Sequence, residues 1–273
     1  MLPQKVWLTL LCCLAQLSLI TAGFPQEQDP AHGALSIQIQ NLDFDEGFVE
    51  YYVLNETEHP LTALAYHIVI LYQDGSRFTD PRIFECIYSS HLPKPQHIQD
   101  LYSGKGPVWS RQAVRFRDAI PNKPGTEVIA VYVEPQAAVM LNRTAIGNKE
   151  LLSRIADRRR GVFEALETWV PVFELTLAET LAGRDSLEEA IGTLVTRVDK
   201  TVSQRSYLTA PQRNHARAYE RFLGEQAQSL LKSAKQNDDY GVRNLARQVE
   251  LYRAQLIASQ DSWNFIESKE SAR

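Results

Sequence analysis

At Asn148 the apolar residues of this chain stop alternating and begin to recur at every third or fourth position. A strand turns successive side chains to opposite faces, whereas a helix stacks them about every 3.6 residues, so one pattern cannot stand in for the other. The chain is therefore read as two segregated halves, strands first and helices second.

From 34 to 147 the pattern is that of strands. ALSIQIQNLDF sets Leu35, Ile37 and Ile39 on one face and Ser36, Gln38 and Gln40 on the other. FVEYYVL follows, and then LTALAYHIVILY, which is apolar on both faces and so belongs inside a sheet. NETEHP and QDGS carry turn chemistry on either side of it. RIFECIY, PVWSRQAVRFRDA, EVIAVYVE, AAVML and TAIG supply further strands. Short strands separated by Pro- and Gly-bearing loops predict an Ig-like antiparallel β-sandwich over 34–147. The antibody-type Cys…Trp…Cys arrangement is absent, so that likeness is one of architecture. The connection SSHLPKPQHIQDLYSGKGP is the least regular stretch, and loops of this length are often functional.

From 148 to 260 the pattern predicts an antiparallel α-helical bundle. Leu152, Ile155, Val162, Leu166, Trp169, Phe173, Leu177 and Leu181 form one apolar stripe. Asn148 suits its N-cap, Gly183 its end, and Pro171 predicts a kink or a break within it. Ser186–Glu189 and Thr209–Gln212 read as capping boxes opening two more helices, and Asp238 as the cap of a fourth. The tail, 261–273, is expected to fray, with Trp263 and Phe265 as the residues able to dock.

The first 23 residues have the parts of a secretory signal peptide: Lys5, an uncharged run from Val6 to Ile20, and the small residues Thr21-Ala22-Gly23. An uncleaved anchor is the alternative. Residues 24–33 read as a flexible linker, and no later stretch is long enough to span a bilayer. Cleavage leaves Cys86 as the one cysteine, so no internal disulfide can form. Eukaryotic extracellular modules of this size usually carry disulfides, which points to a bacterial protein, secreted or periplasmic. Residues 24–148 carry a net charge of −6 and residues 149–273 of +1, so neither half has the basic balance of a nucleic-acid binder.

The chemistry-bearing motifs are few. HExxH, CxxC and GxSxG do not occur, and SGKG at 103–106 is a glycine turn lacking the rest of a phosphate loop. Cys86, His91 and His97, with His67, have the residue types of a copper site. Cys86 lies in an apolar run, though, and the histidines read as structural or solvated. Asp43, Asp45 and Glu46 read as a solvated bend. No catalytic residue, metal or cofactor is assigned. Tyr102 and Trp109 bracket the irregular loop and are the candidate contacts for a polysaccharide. Arg213, Arg217 and Arg221 form one ridge at steps of four, and Arg154 with Arg158 begins another. Glu220 and Glu225 sit at pairing distance along the helix, so salt-bridged surface is the first reading of the ridge. Contact with an acidic protein, or with the acidic half of this chain, is the second. Asn55 and Asn142 match the glycosylation acceptor, which in a bacterial envelope normally goes unused.

NETEHPLTALAYHIVILYQDGS, then Gly147-Asn148 leading into a helix with the run Asp157-Arg-Arg-Arg160, resembles secreted bacterial proteins of unassigned function. The turn at Asn142-Arg143-Thr144 departs from the Asp-Gly-Thr often found in them. The resemblance implies an Ig-like sandwich plus helices outside the cytoplasm, and no activity. The expectation is a non-catalytic interaction or structural module that binds another envelope protein, with the sugar-binding module as the alternative.

Overall fold

A computed structural model describes residues 34–43, 46–86, 108, 110–120, 126–183, 187–198, 207–234 and 238–267. The fold is mixed α+β, with antiparallel sheets in the N-terminal part and helices in the C-terminal part. Strands β1 (Leu35–Asp43), β2 (Phe48–Asn55) and β5 (Ala113–Ala119) form one sheet in the order β1-β2-β5. Strands β3 (Leu61–Tyr72), β4 (Arg77–Glu85), β6 (Val128–Met140), β7 (Thr144–Gly147) and β8 (Ile266–Glu267) form the other, in the order β4-β3-β6-β7-β8.

The two sheets share one core. Val49, Tyr51 and Val53 from β2 join Leu64, Tyr66, Ile68 and Ile70 from β3, all nearly or wholly excluded from water. Phe116 stacks on Tyr51 at 5.5 Å between ring centres. A polar knot sits among these rings: Tyr51 and Tyr66 both donate to Asp118 Oδ2, at 2.5 and 2.9 Å. Burial is the main force pushing both phenols far above their ordinary range, so they remain donors at any physiological pH.

The double-faced hydrophobicity of β3 has a simple cause. Its second face, Ala63 and Ala65, lies with Ala137, Val139 and Ala145 under Leu151, Leu152 and Ile155 of the first helix. Small side chains on the sheet let the helix approach closely. EVIAVYVE and AAVML, read as separate strands, are one strand of 13 residues. Proline has no N–H to give a ladder. Here the pairing steps from Ala65↔Ala137 to Tyr66↔Pro135, so a bulge at Gln136 accommodates Pro135 without ending β6. In β4, Pro81 is tolerated for a different reason, since that strand lies at the end of its sheet. Of PVWSRQAVRFRDA only 113–119 is regular strand, while Val108 makes an isolated bridge to Leu61.

Asn55 fixes the bend NETEHP from inside. Fully buried, it donates through Nδ2 to the carbonyls of His59 and Val108, both at 2.8 Å, and accepts from Thr57. The amide nitrogen that glycosylation would modify is thus committed to the fold.

Helix α1 (Lys149–Leu181) starts at Asn148, whose side chain accepts from the backbone of Glu150 and Leu151. It runs through Pro171 without a break, so of the expected kink or break the break does not occur. Pro171 itself is exposed, and Trp169, Val170 and Phe173 around it are buried. Burial of three large side chains outweighs the roughly 3 kcal/mol that an interior proline costs. Helices α2 (Leu187–Val198), α3 (Ala210–Ala234) and α4 (Asp238–Ser259) complete the C-terminal part. The Thr209–Gln212 box closes reciprocally: Thr209 N donates to Gln212 Oε1 at 3.2 Å, and Gln212 N to Thr209 Oγ1 at 3.4 Å. Ser186 of the other box lies outside the described residues, and α4 begins at Asp238 itself rather than after it. Val162, Leu166, Trp169 and Phe173 of α1 enter a core shared with Leu187, Ile191, Leu223, Leu245, Val249 and Tyr252. The α1 stripe therefore serves two partners, the sheet with its first turns and the other helices with its middle. Leu181, at its end, is left exposed.

The tail does not fray over 261–267. Trp263 packs on Phe163 at 4.8 Å between ring centres, Phe265 packs against the sheet–helix cluster, and β8 pairs parallel with β7. No helix among the described residues is long and apolar enough to cross a membrane.

Candidate functional site

Three consecutive arginines on α1 point three ways, because successive helical residues are turned by about 100°. Arg160 pairs with Glu164 at 2.5 Å and lies 4.5 Å from the centre of the Trp263 ring. Arg159 goes inward. Arg158 goes to the surface shared with α3.

Arg159 is completely buried. It binds Glu85 of β4 through two parallel hydrogen bonds, Nε to Oε2 and Nη2 to Oε1, each 2.9 Å. Nη2 also donates to Thr62 Oγ1 and Nη1 to the carbonyl of Ser262, both at 3.0 Å. One guanidinium therefore ties together β3, β4, α1 and the tail. Sequence spacing alone assigns Arg159 no such role. A signal was present, however: the apolar stripe jumps from Ile155 to Val162, and Arg159 occupies the missing step.

At the α1–α3 contact, Gly161 leaves room for the α3 backbone. A Cβ there would lie 2.4 Å from the Gln212 carbonyl oxygen and 2.8 Å from His215 Cβ. Gln212 Nε2 donates to Asp157 Oδ1 at 2.8 Å, fixing the first turn of α3 against α1. His215 is half-buried in this contact, faced from α1 by Arg154, Asp157 and Arg158. Burial lowers its pKa from the ordinary histidine value, and the Arg158 and Arg154 charges lower it further, against a raising effect of Asp157.

This depression has a measurable consequence. Stability from neutral His215 is fully present above the unfolded histidine value of about 6.5, and is lost as pH falls through the folded-state value. His215→Gln is expected to flatten the decline of unfolding free energy below about pH 6.5, measured by urea titration. An unchanged decline would assign the acid sensitivity to other groups.

The two predicted ridges come out as two separate patches. Arg154 is exposed and Arg158 half-exposed, both beside His215. Arg217 lies two residues beyond His215, about 200° round α3 and hence on its other flank, with Arg221 one turn on. Arg213 donates from Nη1 to the carbonyl of Leu208. Among the described residues none of Arg154, Arg158, Arg213, Arg217 and Arg221 makes an ion pair. Among the described residues Arg217 and Arg221 form no ion pair with Glu220 or Glu225. Glu220 turns inward and accepts from Trp169 Nε1 at 3.4 Å. Among the described residues, no carboxylate of the strand half pairs with these arginines either.

Tyr102 and Trp109, the candidate sugar contacts, lie outside the described residues, as do His91 and His97. Cys86 is buried and donates to the carbonyls of Thr62 and Leu61, at 3.2 and 3.5 Å. Burial raises its thiol well above the ordinary cysteine value, which makes it a poor nucleophile. Among the described residues no group of three or more His, Cys, Asp or Glu side chains is placed to hold a metal ion.

Comparison with known proteins finds no matching family model, no matching curated protein and no matching solved structure.

Proposed function

We propose that this is an exported, non-catalytic interaction module of the bacterial envelope that binds an acidic partner protein through its helical arginines. In this reading an N-terminal Ig-like β-sandwich, built as two sheets over one core, carries a C-terminal antiparallel helical bundle. Export rests on the signal-like residues 1–23. The observation carrying the binding assignment is that Arg154, Arg158, Arg213, Arg217 and Arg221 sit on packed helices and, among the described residues, pair with no carboxylate. Cations held in place by a packed scaffold lose little freedom when a partner's carboxylates reach them, and they steer its approach.

Crosslinking in the native envelope tests this against charge reversal. Arg154→Glu/Arg158→Glu is expected to reduce the crosslinked complex by about tenfold or more, and raised ionic strength to weaken it in the unaltered protein. Arg217→Glu/Arg221→Glu then tells which flank carries the contact. A complex indifferent to both reversals and to salt would rule out this reading.

A further inference from the structure

A crevice of about 490 Å³ opens between the β6–β7 turn and the end of α4, with Arg159 among its lining residues. This volume is in the range that small-molecule sites occupy, about 300–1,000 Å³. Two polar groups on its wall are left incompletely bonded by the protein. Ser262 is 3% exposed, yet its Oγ finds no hydrogen-bond partner among the described residues. Arg159 has five N–H donors and makes four hydrogen bonds, two to Glu85, one to Thr62 and one to the Ser262 carbonyl. The remaining donor is on Nη1. A buried polar group without a partner is costly, and such groups in native proteins call for an explanation.

The rest of the lining selects among ligands. Arg143 lies on the wall without an ion pair among the described residues, and Met140, Leu141 and Ile257 supply apolar surface. Ile257 is 57% exposed, unusual for a side chain of its kind in a packed helix end. Three donors in the lining match a planar group with two acceptor oxygens. The Arg159 charge is already met by Glu85, which leaves Arg143 as the cation that disfavours an ammonium group. Asp261, also on the wall, disfavours a doubly charged phosphate.

We infer that this crevice binds a small organic carboxylate with an aliphatic body, its head toward Arg143, Arg159 and Ser262 and its chain along Ile257 and Met140. This site is distinct from the arginine patches and does not depend on the function proposed above.

Octanoate is a suitable probe, with 1-octanol as its uncharged counterpart, each titrated calorimetrically into the purified protein. Octanoate is expected to bind with Kd of about 1 mM or tighter, and octanol at least about tenfold more weakly. Arg143→Gln lies on an exposed turn and should keep the wild-type Tm, whereas Ser262→Ala removes an unpartnered buried hydroxyl and should hold Tm at or slightly above the wild-type value. Arg143→Gln is expected to weaken octanoate by about tenfold and Ser262→Ala by about fivefold. Absence of saturable octanoate binding would overturn the inference. So would octanol binding as well as octanoate, or affinity unchanged in both variants.

Discussion

Arg159→Met is expected to remove about 3–5 kcal/mol of folding stability, seen as a lower urea midpoint at unchanged slope. The loss arises less from the missing attraction than from what stays behind. Glu85, with its side chain 1% exposed, would be a buried carboxylate without its bidentate partner. The carbonyl of Ser262 would lose its donor as well. Replacing both charges, as in Glu85→Leu/Arg159→Met, should recover most of the deficit, since a buried ion pair is often matched by well-packed apolar residues. Recovery should be incomplete because Ser262 still lacks its bond. Thr62 is less affected: its hydroxyl continues to donate to the Val139 carbonyl at 3.0 Å. If Arg159→Met alone costs under about 1 kcal/mol, the range of exposed pairs, the pair does not join the strands to α1 as described.

That joint also marks the limit of what the sequence made readable. Local signals were strong and accurate where local chemistry decides. The change of period at Asn148 coincides with the β7-to-α1 switch, and the Asn148 cap and the Thr209–Gln212 box both form. The two apolar faces of LTALAYHIVILY correctly place β3 inside its sheet. Misses came where distant segments meet. Glu85 and Arg159 are 74 positions apart, and no spacing rule links them. A two-residue strand such as β8 has too few side chains to show a period, so its pairing with β7 could not be anticipated. Pro171 predicts a kink or a break, and tertiary packing keeps the helix in one piece there, while a bulge lets β6 continue past Pro135. For the arginines, helical spacing identified the ridges but not their orientation about the α1–α3 contact. Glu220 could as well have faced Arg217 as Trp169 until the helices were packed.

That packing turns on Gly161, and the effect of filling it sets two opposing terms against each other. In a helix interior alanine is ordinarily better than glycine by about 1 kcal/mol. At Gly192 of α2 an added Cβ meets no atom within 4 Å, so Gly192→Ala should show that gain nearly in full. At Gly161 the new carbon would lie 2.4 Å from the Gln212 carbonyl oxygen and 2.9 Å from the Ala216 amide nitrogen. Both are backbone atoms of α3, which cannot give way as a flexible side chain can. Gln212 is further held by its capping box and by Asp157. Overpacking of this kind costs about 1–3 kcal/mol and occasionally more, so Gly161→Ala should be a net loss of up to about 2 kcal/mol. Relief of the clash requires α3 to move away from α1, carrying His215 into water and away from Arg154 and Arg158. Its pKa should then rise toward the ordinary histidine value, which an NMR titration of the ring protons would follow. Stabilisation equal to that of Gly192→Ala, with the His215 titration unmoved, would mean that the two helices do not approach this closely and that His215 is not held between them.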